Sequence, residues 1–383
     1  MHQGRDEAVR LMGEGDAKEA KSNWLAAAQL GLVSSTFSTL ISQLAAAQLG
    51  RDAAVDWMTV AAIPGRDVML SAAPSYQAIA LGIAFHQWAD FSWALVFFGL
   101  FGRWTSRLAP GTLFWLAIPW AVFTSATEWF VLVPLFPFFQ PIFTLQQPYW
   151  IGFLVHLSSA SIYPLFAWLR WPLGRAPPTP AVRFAKRWAA GALLVLATLG
   201  LVAMVERLGW PPPILSRDVA SDQRYMRHMV THHEQGIELA RVGQQRAQDP
   251  RLRALAALMA ASQVGENRIF EHWWRGWFSE PMAVCTGEER AAMPGYLTPA
   301  QMADVRNAVD GEFDAVFIRL MSLHHAGAVQ MADSQWHSSG DPRLRLMAHA
   351  IRHEQQGEIA LMKNVSGIEA VRQATRSMLA NNL

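Results

Sequence analysis

The sequence predicts an all-α chain in two parts: a polytopic helical membrane domain of about five spans, then a four-helix bundle made of two duplicated helical hairpins. Three observations carry this. Apolar residues make up 52% of the 383 positions against 16% charged, with 17 Trp, a balance typical of a membrane protein with a soluble appendage. The character of the chain changes near residue 210, after which lie nine of the twelve His and eleven of the sixteen Met. Beyond that point the sequence repeats itself at a fixed offset of 92 residues. A net charge of +2 without a basic, aromatic-interleaved stripe gives no footprint for nucleic acid. Cys285 is the single cysteine, so no intramolecular disulfide can form.

A span needs about twenty predominantly apolar residues. Five stretches qualify: Trp24 to Leu49, Tyr76 to Phe101, Thr112 to Leu135, Tyr149 to Trp168 and Trp188 to Val205. The first is diluted by Ser34, Ser35, Thr36, Ser38, Thr39 and Ser42, the small hydroxylated residues that helix contacts in lipid favour. Arg5, Arg10, Lys18 and Lys21 precede it, Arg103 and Arg107 follow the second, and Arg170, Arg175, Arg183, Lys186 and Arg187 follow the fourth. The opposite side has only Arg51 and Arg66 in its first loop. This asymmetry puts the N-terminus in the cytoplasm and residues after the fifth span outside it, in the periplasm if the membrane is a bacterial inner membrane. A charged stretch precedes the first apolar run and no small-residue cleavage site follows it, so no removable signal peptide is read. His86, Asp90, Glu128 and His156 fall inside spans, where ionisable groups are costly. His86 and Asp90, one helical turn apart, form either an ion, proton or metal site or a polar clasp between helices.

After residue 210 the repeat runs without a gap. Asp222 meets Asp314, Met229 meets Met321, His232 and His233 meet His324 and His325, "DPRLR" at 249–253 recurs at 341–345, and Gln263, Gly265 and Glu266 meet Gln355, Gly357 and Glu358. Each unit reads as helix, turn at Asp-Pro, helix, because proline suits the first position of a helix and not its interior. "TPAQ" at 298–301 places a further helix start near Pro299. The expected domains are a membrane domain over 1–210, a linker at 211–217, a first hairpin over 218–280, a crossover at 281–298, a second hairpin over 299–366 and a tail over 367–383.

At about 100° per residue, Met229 shares a helix face with His233, and Met321 with His325. Glu266 and Glu358 lie in stripes expected to face the bundle core, where a carboxylate must be paired or bound to a cation. The imidazoles and carboxylates either hold a metal, with Met supplying thioether sulfur for copper(I), or hydrogen-bond one another while Met fills the core. The second hairpin adds Met331, His349 and His353, the two His at ligand spacing or on a solvated face. The metal set is thus Met229, His232, His233, Glu266, Met321, His324, His325, Met331, His349, His353 and Glu358.

These motifs, Asp then Met-x-x-His-His then Gln-x-x-Glu in two copies, with "PGYLTPAQM" before the second, resemble the bacterial domain-of-unknown-function family 305 over about 218–365. The family is similar to ferritin-like four-helix proteins, and its best-known members are periplasmic copper-binding proteins of the CopM type. The resemblance implies a ferritin-like bundle and a copper ion. Gly236 and Leu239 stand where the family phrase has Ala and Met, which weakens the first copy as a binder. No nucleophile-base set or phosphate loop is visible, so the chain reads as a metal holder anchored in the membrane rather than a catalyst. Five spans exceed what an anchor needs, which raises an accessory subunit of a larger membrane complex, or a homo-oligomer, as the alternative. A ferritin-like di-metal oxidase is a third reading.

Overall fold

The computed structural model describes residues 3–135, 142–171 and 179–379, and among them every regular element is helical. Four helices are long and apolar enough to cross a membrane: Ser22–Ala45, Pro110–Leu135, Tyr149–Leu169 and Pro180–Arg207. The remaining expected span forms the helix Tyr76–Leu95 and continues as a π-turn, Val96–Leu100. His86, Gln87 and Asp90 lower its hydropathy below that of the other four. Contacts divide the chain into two units that do not follow its order: one takes residues 1–42, 86–126 and 153–199, the other 43–85, 127–152 and 200–383.

The first unit packs Leu30, Phe98, Leu113, Ala117, Ala121, Tyr163 and Phe166 into its core. Ser34, Ser35 and Ser38 are buried there, their hydroxyls donating to backbone carbonyls three residues back, which satisfies them without water. The most apolar stretch of Pro180–Arg207 has none of its residues buried.

The second unit contains the bundle. Its four helices are Val219–Arg246, Pro250–Trp277, Asp310–Trp336 and Pro342–Met362. Asp218, Asp249 and Asp341 cap the first, second and fourth through backbone N–H groups, with proline at the first position of the latter two. Thr298 and Gln301 form the expected capping box of a helix that ends at Asn307. The break before Asp310 is held by Arg246, whose guanidinium donates to the carbonyls of Arg306 (2.5 Å) and Ala308 (2.6 Å). The crossover carries a short capped helix, Gly287–Ala292.

The two repeated aspartates explain themselves here. Asp222, on the first hairpin, accepts from Asp341 N (2.8 Å) and Gln335 Nε2 (2.6 Å) at the turn of the second. Asp314, on the second hairpin, accepts from Gln248 N (2.8 Å) and Asp249 N (2.9 Å) at the turn of the first. Their role is to cap turns.

Segments preceding residue 210 complete this unit. Val55, Met58, Ala61, Ala62, Ile142 and Leu145 share a core with Leu255, Met259, Phe317 and Met321 of the bundle. The repeated glycines mark where these segments approach: a Cβ on Gly265 would lie 2.8 Å from Asp52 Cβ, and one on Gly357 would lie 1.8 Å from the Leu145 carbonyl oxygen. Gly357→Ala is therefore expected to cost about 1–3 kcal/mol by overpacking. Thermal unfolding followed by tryptophan fluorescence checks this, and an unchanged midpoint would show that the approach of residues 142–147 is not needed.

Candidate metal centre

Met229, His232, His233, Met321, His324 and His325 are all completely buried, and Glu266 and Glu358 nearly so. His325 Nε2 lies 2.7 Å from Glu358 Oε2, and His233 Nε2 lies 3.6 Å from Glu266 Oε2. The His232 and His324 rings lie with centroids 3.8 Å apart and planes tilted by 34°. His324 Nε2 lies 3.0 Å from the His232 carbonyl oxygen, whereas His232 Nε2 lies 3.1 Å from that of Pro294 in the crossover. His233 Nδ1 faces Asn267 Oδ1 at 3.2 Å.

Within the two His-His pairs, Nδ1 of His232, His324 and His325 is buried without a hydrogen-bond partner, as is Nε2 of His353 and of His272 outside them. Both amide atoms of Gln263 and Oε1 of Gln355 are in the same position. An orphaned buried polar atom costs about 1–3 kcal/mol, so such a concentration suits groups that can take a ligand. Burial pushes His233, His324 and His325 down to about 3, with neighbouring imidazoles adding to it for His233 and His324. They are therefore neutral at pH 7, the form that ligates metals. Gly236, the departure in the first copy, has a packing cause: a Cβ there would lie 2.3 Å from Gln263 Oε1 and 2.7 Å from His324 Cε1.

The other expected ligands go elsewhere. His349 Nδ1 accepts from Trp150 Nε1 at 3.2 Å, and its ring lies against Trp336. His353 Nδ1 is 2.9 Å from Ser377 Oγ. Both are buried, so neither lies on a solvated face. Met229 belongs to an apolar cluster with Met226, Phe270, Trp273 and Met347, against which Met331 packs, while Met321 belongs to a different one.

Two features escaped the sequence reading. Arg51 enters the bundle's acidic region, donating to Glu354 Oε2 at 2.7 Å and Asp56 Oδ1 at 2.6 Å. Gln146 Nε2 donates to Ser262 Oγ (3.3 Å) and Glu354 Oε1 (3.2 Å). Burial alone would lower the Arg51 pKa, but Asp56 and Glu354 hold it above its ordinary value. Burial raises the pKa values of Glu266 and Glu354, and takes Glu358 up to about 8. Glu354 stands where the first copy has Ser262, so the repeat could not reveal it.

The second is a donor group at the edge of the first bundle helix. His228, Cys285 and Glu289 each bring one donor atom within 4.8 Å of the others. Cys285 is buried and free, and Glu289 is also engaged by Arg227 at 3.1 Å and by Thr286 N at 2.6 Å. His228 lacks a counterpart in the second copy and Cys285 is the single thiol of the chain, which were the signals available in the sequence.

Comparison with known proteins places residues 222–366 on the family described as "Domain of unknown function (DUF305)". Solved structures similar to this chain include a putative secreted DUF305 protein from Streptomyces coelicolor, 26% identical, covering 38% of this chain and 90% of that one, TM-score 0.35. A DUF305 fragment from Deinococcus radiodurans is 29% identical, covering 40% and 97%, TM-score 0.36. CopM in its Ag-bound form is 27% identical, covering 37% and 93%, TM-score 0.32. No curated protein matches the chain. The C-terminal half of this chain, over residues 222–366, carries the DUF305 resemblance that its repeated motifs led us to expect.

Proposed function

We propose that this chain is a membrane-anchored metal-binding protein whose bundle faces the periplasm and holds copper(I) through Met and His side chains. The observation that carries this reading is the set of neutral, fully buried imidazoles with unpartnered Nδ1 atoms at His232, His324 and His325. Met229 and Met321 are buried one helical turn before His233 and His325, and thioether with imidazole is a donor set for a soft monovalent ion. Four helices of spanning length, and exposed apolar side chains such as Trp115, Leu193, Leu194 and Leu201, support anchoring in lipid. The positive-inside asymmetry supports the orientation.

The test is copper content of the purified full chain under reducing conditions. We expect a defined stoichiometry that falls by at least one ion in the variant Met321→Leu, His324→Gln, His325→Gln. A wild-type chain that binds no copper(I) would overturn the reading.

A second reading, an accessory subunit of a membrane complex with the bundle as a structural cap, is favoured by Arg51. A guanidinium already occupies the acidic region, so its carboxylates have a cation without any metal. The same contact weighs against a di-metal oxidase built on Glu266 and Glu358.

A further inference from the structure

Metal-ligating side chains gather outside the bundle core as well. In the first unit, the hydroxyls of Ser38 and Thr124 already partner the rings of His86 (3.0 Å) and His156 (3.2 Å) beside Asp90, so that group is a hydrogen-bonded clasp between helices. The group at the edge of the first hairpin is of another kind. His228, from the first bundle helix, and Cys285 and Glu289, from the crossover, present one donor atom each, all within 4.8 Å of one another. His228 Nε2 lies 3.8 Å from Glu289 Oε1, beyond a direct hydrogen bond. Cys285 is 2% exposed, and its Sγ meets the Arg227 carbonyl at 3.6 Å, the weak contact of a thiol.

The surroundings hold these donors ready for an ion. A carboxylate has about four acceptor positions. On Glu289, Arg227 donates to Oε1 (3.1 Å) and Oε2 (3.2 Å), and Thr286 N donates to Oε2 (2.6 Å). The open position is on Oε1, the oxygen that faces His228. Ligating carboxylates are themselves fixed by such outer hydrogen bonds, which orient them and leave a lone pair for the metal. Arg227 Nε also donates to the Ala283 carbonyl at 3.0 Å, which pins the crossover to the helix that carries His228. Donors sharing one four-coordinate ion at bond lengths of about 2.0–2.3 Å stand about 3.3–3.6 Å apart. The side chains of His228 and Glu289 are 23% and 30% exposed, so each can close the remaining distance by rotating at the surface, where an ion from solution reaches them. Burial lowers the His228 pKa from 6.5 against the pull of Glu289, so the imidazole is neutral at pH 7 and free to ligate. One sulfur, one nitrogen and one oxygen, with a fourth position open to water, suit a borderline divalent ion rather than a soft monovalent one.

We propose that His228, Cys285 and Glu289 form a divalent metal site of the zinc class at the edge of the first hairpin, separate from the bundle's buried centre. As the ion binds, Cys285 Sγ gives its proton to solvent and the sulfur–metal bond forms. The proposal does not depend on copper binding. Its test is titration of the metal-stripped, thiol-reduced full chain in detergent with Co²⁺ alone, followed by absorption. Because Cys285 is the single thiol, a thiolate-to-cobalt charge-transfer band reports this site and no other. We expect that band to saturate at one equivalent, to vanish on addition of Zn²⁺ and in Cys285→Ser, and to need at least about 10-fold more Co²⁺ in His228→Gln and Glu289→Gln. Glu289→Gln keeps the capping box with Thr286, so a loss of affinity there is not a loss of the helix. The triple bundle variant should titrate as wild type. A wild-type chain without the thiolate band, or affinity equal to wild type in either His228→Gln or Glu289→Gln, would overturn the proposal and leave Glu289 as the cap of the crossover helix.

Discussion

Acidification is expected to unfold the bundle, with most of the loss between pH 6 and about 4. His233, His324, His325 and His353 are each held down to about 3 by burial, against an ordinary value of 6.5. A depressed imidazole pKa means that the unfolded chain binds the proton more readily. The stability these groups share is therefore fully present above pH 6.5 and declines as pH falls toward 3. Below 6.5 each imidazole costs about 1.4 kcal/mol per pH unit. Four together amount to about 5 kcal/mol per unit, against a typical total of about 5–15 kcal/mol. Glu358, pushed up to about 8, acts oppositely: its contribution is full below its ordinary value of 4.5 and is lost as pH rises through 8. Glu266 and Glu354, also raised by burial, act in the same sense, but three carboxyls do not offset six imidazoles lowered by burial, His232 and His349 included, on the acid side. Thermal melts of the detergent-purified chain from pH 7.5 to 4 check this, and His324→Gln should flatten the slope by about one proton. A melting temperature independent of pH over that range would refute the buried, neutral state of these rings.

Arg51→Met is expected to destabilise the second unit by about 3–5 kcal/mol, because removing one partner of a buried ion pair leaves the other charge uncompensated. Arg51 and Glu354 are only 5% and 4% exposed and meet at 2.7 Å. For a unit of this size that corresponds to a fall of about 10 °C in the unfolding midpoint. The double variant Arg51→Met, Glu354→Gln should recover part of the loss, since it removes both charges, and the difference measures their coupling. Equal midpoints for wild type and Arg51→Met would mean that water, not Glu354, solvates the guanidinium.

The parts of this fold legible in the sequence are those set within a few residues. The Asp-Pro turns, the Thr298–Gln301 box and the phase of Met321, His324 and His325 each follow from local geometry, and each is where the spacing puts it. The meeting of His325 with Glu358 was legible because the helix period placed both on inward faces. Arg51 was read only as one of two basic residues in a loop, since nothing local reveals a partner 303 positions away. His156 likewise joins Asp90 through tertiary packing alone. The break before Asp310 was missed because Arg246, which holds it, lies in the other hairpin.

The reciprocal caps have a consequence for how such a bundle arises. When residue i of one half grips residue j of the other, and j's half returns the same grip, the contact is isologous, the signature of a two-fold dimer. Asp222 on the Asp341 turn and Asp314 on the Asp249 turn satisfy that rule within a single chain. The bundle is thus a covalently fused homodimer in its geometry, and a lone hairpin would leave both its aspartate and its turn without their mates. Fusion also freed the halves to diverge: His324 still grips the main chain of its twin at His232, while His232 has turned to the crossover at Pro294.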